Sequence, residues 1–365
     1  MERIYPQFSK DVFEKNNKFK LLNKRYEFYI NEIQNGTIAS SLYLIDEMIK
    51  DLCVPNPANN CNNYGVLLET IKNDDVVKEL LAKRFNCKKE DIYFGDVKTS
   101  DIKGKKFPYS IIFGNANLNG LNEMDLSKLK AVIGDLSIKS SRFTKLENLE
   151  VVSGKLDASN SRVIDMSSLV VIGGNAEFED SSIKAMKKLK MIGGSAYFKG
   201  SSIINLESLE IIGGAAFFSR SKITNLNNLR IVNHEANFND TIIESLPSLE
   251  ECCQSLYVHG SRLKDLSKLK KVVRTISLTN SALTSVDSLE YVGEDVYLTN
   301  SIVRSMKGLK YVGNLLDCRF SCIEDLSALE HVGKKILMLD SCKAKNTISK
   351  KLAREKIHFG LSNRR

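Results

Sequence analysis

Four histidines and eight cysteines are the residues in this 365-residue chain best suited to nucleophilic or metal chemistry. His234, His259, His331 and His358 stand in no H-E-x-x-H or C-x-x-C context, and no G-x-x-x-x-G-K-[ST] phosphate loop is present. Cys318, Cys322 and Cys342 come near one another if repeated units stack, with Cys322 and Cys342 in one column. A zinc site would need a fourth ligand that the sequence does not name, so free thiols and no metal are expected. Cys252 replaces a core valine beside Cys253, and Cys53, Cys61 and Cys87 lack an obvious histidine partner for nucleophilic work. The hydroxyls are more orderly. Ser141, Ser161, Ser181, Ser201, Ser221, Thr241, Ser261, Ser281, Ser301, Ser321 and Ser341 recur every twenty residues, among residues that otherwise look like core. A hydroxyl in that setting reads as structural rather than catalytic or phosphorylated.

The elements that would position these hydroxyls repeat with the same period. Leu129, Leu149 and Leu169 open a leucine column that continues to Leu329. Val132, Val152 and Ile172 open a second column, and Leu136, Leu156 and Ala176 a third. Such a register is expected of a solenoid, where each coil buries its apolar edge against the next. Within a unit, A-x-F (Ala196, Phe198) alternates like a half-buried strand. The preceding Gly-Gly pairs (Gly173–Gly174, Gly193–Gly194, Gly213–Gly214) suit a tight turn with positive φ. S-x-I-x-x-L-x-x-L-x-x-I predicts short extended or 3₁₀ pieces. Strands one coil apart would pair in parallel at about 4.8 Å. In the column Lys190, Glu210, Arg230, Glu250, Lys270, Glu290, Lys310 and Glu330 the sign alternates, which would set opposite charges side by side and penalise a one-coil slip.

The unit A-x-F-x-x-S-x-I resembles the leucine-rich-repeat core L-x-L-x-x-N-x-L, with serine or threonine where that family places asparagine. The twenty-residue period is similar to the short repeats of bacterial leucine-rich-repeat proteins, and a receptor L-domain-like β-helix would share most of the columns. The resemblance implies an α/β solenoid, a parallel-sheet superhelix of about eleven coils over residues 106–342. It also implies that the hydroxyl bonds backbone groups left unpaired by the turn, and that the protein binds other proteins.

Residues 1–105 have a different texture. Segments 12–33, 40–52 and 74–85 read as amphipathic helices, with a Pro/Asn-rich loop over 53–65. A helical domain capping the first coil is expected, with FPYSIIFGNANLNGLNEMDL as a degenerate coil carrying Leu121 in place of the hydroxyl. Residues 343–365 predict a basic capping helix and tail. The net charge of +9 is concentrated there: residues 341–365 hold eight Lys or Arg against one Glu. Nucleic-acid binding through that tail is an alternative function, as is an enzyme in the N-terminal domain. No apolar run reaches a membrane span, and the first residues lack an apolar signal core. A soluble, cytoplasmic protein with reduced thiols is expected.

The outward strand positions supply the candidate surface. If Ala196 and Phe198 point inward, one outward column holds Asp157, Glu177, Tyr197, Phe217, Asn237, Tyr257 and Tyr297, and the next holds Glu179, His259 and Arg319, with Arg220 nearby. An acidic patch thus gives way to aromatics beside cations, residue types enriched in protein-binding hot spots. A non-enzymatic scaffold is expected, engaging another protein through a concave sheet face and able to inhibit it by occlusion. No cofactor or small-molecule substrate is indicated.

Overall fold

Each twenty-residue unit carries two dipeptides that extend and pair with their equivalents one coil away. In the computed structural model, which describes residues 45–48, 72–339 and 341–359, Met191–Ile192 pairs in parallel with Val171–Ile172 and Ile211–Ile212. Ala196–Tyr197 likewise pairs with Ala176–Glu177 and Ala216–Phe217. Repetition builds two parallel sheets. The first has 13 strands, from Ile92–Phe94 to His331–Val332, and the second has 14, from Val97–Lys98 to Ile357–Phe359. A third side is marked by single parallel bridges such as Asp165↔Ala185↔Asn205. The chain is therefore a three-sided β-solenoid of about twenty residues per turn.

Two expectations change, and the short extended pieces are found. The architecture is mostly β rather than α/β, because no helix crosses between consecutive strands from Ile111–Phe113 to Lys335–Met338. The stretch expected to be extended or 3₁₀ contributes the whole first sheet, whose inward residues are the Val152/Ile172 column. The coils number about thirteen rather than eleven, since Ile92–Phe94 and Val97–Lys98 already pair with the coil that follows.

The core explains the small residue at one strand position. Phe178, Phe198, Phe218 and Phe238 stack at 5.0, 5.0 and 5.4 Å in nearly parallel planes. Where this column holds phenylalanine, the neighbouring inward position holds alanine (Ala176, Ala196, Ala216, Ala236); where it holds Ala158, Val258 or Leu278, that position is Leu156, Leu256 or Ile276. Large against small conserves volume in a close-packed interior.

The corners are held by polar side chains that the periodicity did not single out. Main-chain N–H groups before the first corner bond back to the preceding coil (Gly174 N–H to Gly154 O, 2.8 Å), and those after it bond forward (Ala176 N–H to Ser195 O, 2.9 Å). Where the direction flips, the N–H has no carbonyl. The side chain one coil earlier accepts it instead: Asp135 from Lys155 (2.7 Å), Asn175 from Ser195 (2.9 Å), Ser195 from Ala215 (3.0 Å) and Asp295 from Leu315 (3.1 Å). The glycine pairs serve this contact. None of Gly173, Gly174, Gly193, Gly194, Gly213 and Gly214 has positive φ; a Cβ on Gly194 would overlap the Asn175 side-chain oxygen, and one on Gly213 the Gly193 carbonyl oxygen.

Positive φ at the first corner is confined to Gly95, Gly114 and Gly134; in the later coils it sits at the second corner, at Asn160, Asp180, Gly200, Asp240, Asn280 and Asn300, residue types that tolerate it. The hydroxyl follows immediately. Ser141, Ser161, Ser181, Ser201, Ser221, Thr241, Ser261, Ser281 and Ser301 are all buried. Ser141, Thr241, Ser261 and Ser321 donate to backbone carbonyls at 2.7–3.1 Å. The hydroxyls of Ser161, Ser181, Ser201, Ser221, Ser281 and Ser301 have no hydrogen-bond partner. In both groups the turn carbonyl accepts the residue's own N–H, Phe178 O from Ser181 as Phe238 O from Thr241, so that bond does not separate them. The column is thus a buried small-residue corner, and the backbone-pairing role expected of it belongs mainly to the other corner. In the last coil the register slips by one. Ser341 is exposed, and Cys342, whose N–H closes the turn onto Leu339 O, takes the buried place.

At the C-terminal end, helix α2 (Lys350–Lys356; α1 is introduced below) is capped by Ser349, whose hydroxyl accepts from Leu352 N–H. The chain then adds Ile357–Phe359 in parallel to the second sheet. At the other end, α1 (Asp75–Arg84) is capped by Asp74 and buries Val77, Leu80, Leu81 and Ala82. It packs with Ile45 and Met48 against Ile111, Ala131, Val151, Val171 and Met191, the outer face of the first sheet. Residues 45–48 and α1 therefore lie along the flank of several coils. The segments 12–33 and 53–65 lie outside the described residues. Among the described residues no helix is long and apolar enough to cross a membrane.

Candidate functional site

The parallel register aligns the candidate residues in one outward row of the second sheet: Asp157↔Glu177↔Tyr197↔Phe217↔Asn237↔Tyr257↔Ser277↔Tyr297↔Asp317. Alternation along each strand sends these side chains out while Ala196 and Phe198 go in. The aromatics do not form one continuous stack. Tyr197 and Phe217 lie at 5.2 Å and 21°, whereas Tyr257 and Tyr297 are separated from them and from each other by Asn237 and Ser277. All four are half-buried, so Phe217 is less exposed than its sequence position suggested.

Several polar members have local duties. Asp157 is buried, accepts Ser159 N–H at 3.1 Å, and lies 3.6 Å from Lys155. Lys155 also donates to Glu177 at 3.2 Å. Partial burial works against its charge, but the Glu177 hydrogen bond and the charges of Glu177, Asp157 and Asp135 outweigh it and leave its pKa raised. Asn237 accepts Asn239 N–H, and Asn239 in turn accepts His259 N–H. Arg319 grips the buried Asp317 with two nitrogens, at 3.0 and 2.7 Å, and that hydrogen-bonded carboxylate raises the pKa of the guanidinium. The Tyr297 hydroxyl reaches Asp295 at 3.4 Å, and burial followed by that carboxylate raises its pKa. Glu179, His259 and Arg220 are exposed. Arg220 adopts φ +59° in the corner column that elsewhere prefers Asn, Asp or Gly. Ser140 and Phe320 are the other unusual occupants, at φ +56° and +55°, and Phe320 is 55% exposed.

The six cysteines among the described residues are free thiols. Burial pushes Cys252 up to about 12 and Cys318 well above its ordinary value. Cys87 is also raised, by burial first, although Lys130 opposes the shift. Cys322 is exposed while Cys342 turns inward after the slipped register, so the two do not share a face as their spacing implied. Together with Cys318 they border a shallow cleft of about 320 Å³ beside Phe320. Among the described residues no group of three or more His, Cys, Asp or Glu is placed to hold a metal ion.

One outward column escaped the sequence reading. On the first sheet, Tyr291, Tyr311 and His331 stack at 4.8 and 4.7 Å, with the Lys271 ammonium 5.4 Å from the Tyr291 ring centre. The twenty-residue spacing of these three rings was the signal that would have found it. No family model and no curated protein matches the sequence.

Proposed function

We propose that this is a non-enzymatic scaffold of leucine-rich-repeat type that binds another protein through the outer face of the second sheet, and that it can inhibit its partner by occlusion. The observation that carries this reading is the row Tyr197, Phe217, Asn237, Tyr257 on a fixed parallel ladder, with Arg220 at its edge in a backbone conformation unfavourable to a long side chain. Strain of this kind, roughly 1–3 kcal/mol, persists where the surroundings impose it, and it clusters at contact sites. The sheet fixes the aromatics before any partner arrives, so little ordering entropy is lost on binding. The flanking Glu177 and Glu179 on one side and His259 on the other give a partner an orientation.

The test is capture of a partner from the native cell by the intact protein and by a Tyr197→Ala/Phe217→Ala/Tyr257→Ala variant, both with the same thermal midpoint. A bound protein should be retained by the first and lost by the second, with each single anchor worth about 2 kcal/mol. Equal retention would remove this face from consideration.

A further inference from the structure

We propose that the uncovered half of the first sheet is a self-association surface, joining two copies of this chain about a two-fold axis that runs along the strands between the Tyr291 and Tyr311 coils. Among the described residues nothing covers this face: Tyr291 is 36% exposed, and Lys271 and His331 are also exposed. It continues the same outer column that, from Ile111 to Met191, is buried under α1 and its neighbours. Beside the rings the floor is glycine (Gly293, Gly313, Gly333), and at each a Cβ would overlap the carbonyl oxygen of the preceding coil. The result is a flat sheet surface with a raised aromatic ridge, a shape that a second sheet can meet face to face.

The charges choose the occupant. Beside the ridge the rows alternate in sign coil by coil: Lys270, Glu290, Lys310, Glu330. A two-fold along the solenoid axis reverses the strands and, where it runs over the charge row, sets Glu290 against Glu290. A two-fold along the strands and between the two tyrosine coils lays Glu290 on Lys310 of the second copy, Lys270 on Glu330, and Tyr291 on Tyr311. The pattern is thus complementary to itself in the antiparallel arrangement and repulsive in the parallel one, which is the signature of an isologous contact. The like-charged juxtaposition this creates is at the rim, Arg274 against Lys334, and Arg274 is already paired with Glu294 at 3.0 Å. The strip from Lys271 to His331 is short, on the order of 15–20 Å along the axis. That is small beside the roughly 800 Å² per partner of a permanent dimer, so the association is concentration-dependent. It leaves both second-sheet faces open.

The test is sedimentation of the intact chain from about 1 to about 500 µM, the range in which weak association appears. The mass should rise from that of one chain, 40.9 kDa, toward twice that value. Glu290→Lys and Lys310→Glu should each weaken the dimer at least tenfold, and mixing the two variants should restore it, because each supplies the charge the other lacks. Mixing cannot repair the Glu290–Lys310 pair within a chain (3.6 Å), so restoration reports only the contact between copies. Tyr291→Ala/Tyr311→Ala should abolish association with the strand signal in circular dichroism unchanged. A wild-type mass that stays at one chain throughout overturns the proposal, as does a wild-type dimer whose two charge variants remain monomeric when mixed.

Discussion

The first sheet is one ladder with two fates. Its outer column reads Ile111, Ala131, Val151, Val171, Met191, Ile211, Ile231 and then Glu251, Lys271, Tyr291, Tyr311, His331. Backbone pairing is the same in both halves, and so is the inward column, Val132 to Val332. Only the outward chemistry changes, and the helices follow it: α1, Ile45 and Met48 join the cluster that covers the column as far as Met191, with Ile211 at its margin. The lesson is that the same paired ladder carries either chemistry on its outer side. Among the described residues, the helical cover ends where the outer column turns from apolar to charged.

The sharpest way to break the comparison is to put the same charge in both halves. Val151 is 5% exposed in the helix–sheet contact, and Val151→Asp there buries a carboxylate with no partner, a loss of about 3 kcal/mol or more. Tyr291→Asp changes an exposed position in the same column and should stay within about 1 kcal/mol. Urea unfolding of the two variants compares them directly, and equal losses would mean that the halves are not distinct.

Polar contacts should show a smaller contrast of the same sign. Arg84 on α1 bonds Asp46 at 2.6 Å and Glu150 at 3.2 Å, tying two helical segments to the charge ladder. Burial works against its charge, yet the Asp46 and Glu150 carboxylates leave its pKa raised. Arg84→Ala should cost about 1–2 kcal/mol. Lys310→Ala removes an exposed pair with Glu290 in the uncovered half and should cost under about 1 kcal/mol. Amide exchange in α1 should accelerate in the first variant and not in the second.

Much of this was legible because a strict period turns columns of sequence into rows in space. The leucine and valine columns fixed the core, and the burial of Ser141 through Ser301 followed from where hydroxyls fell among apolar residues. What the columns could not convey was which main-chain groups lack partners. That depends on the flip in hydrogen-bond direction at the first corner, and the accepting side chains there vary among Asp, Asn and Ser, with Lys155 and Ala215 interrupting them. The candidate row was legible in membership but not in detail: that Asp317 would be consumed by Arg319, or that Asn237 would cap its own turn, depends on local side-chain geometry. The position of α1 was missed for another reason. The change from apolar to charged in the outer column is visible only once that column is known to be a strand.

The smallest effect separating the two halves is a titration. Asp91 lies where the covered half begins and accepts from Lys128 at 2.7 Å. Burial alone would raise its pKa, but the hydrogen bond and charge of Lys128, with Lys88 N–H, carry it below the ordinary 3.8. A carboxylate whose folded pKa is depressed stabilises the fold above the unfolded pKa and loses that contribution as pH falls through the folded value. The thermal midpoint of the wild type should therefore exceed that of Asp91→Asn at pH 6, by the equivalent of under about 1 kcal/mol, with the gap closing below about pH 4. At the far end Glu324 is depressed in the same direction by Lys343, but solvent screens that exposed pair, so Glu324→Gln should give the same midpoint as wild type across the range. A gap for Asp91→Asn that persists unchanged to pH 3 would mean that the charge of Asp91 paired with Lys128 is not what stabilises this end.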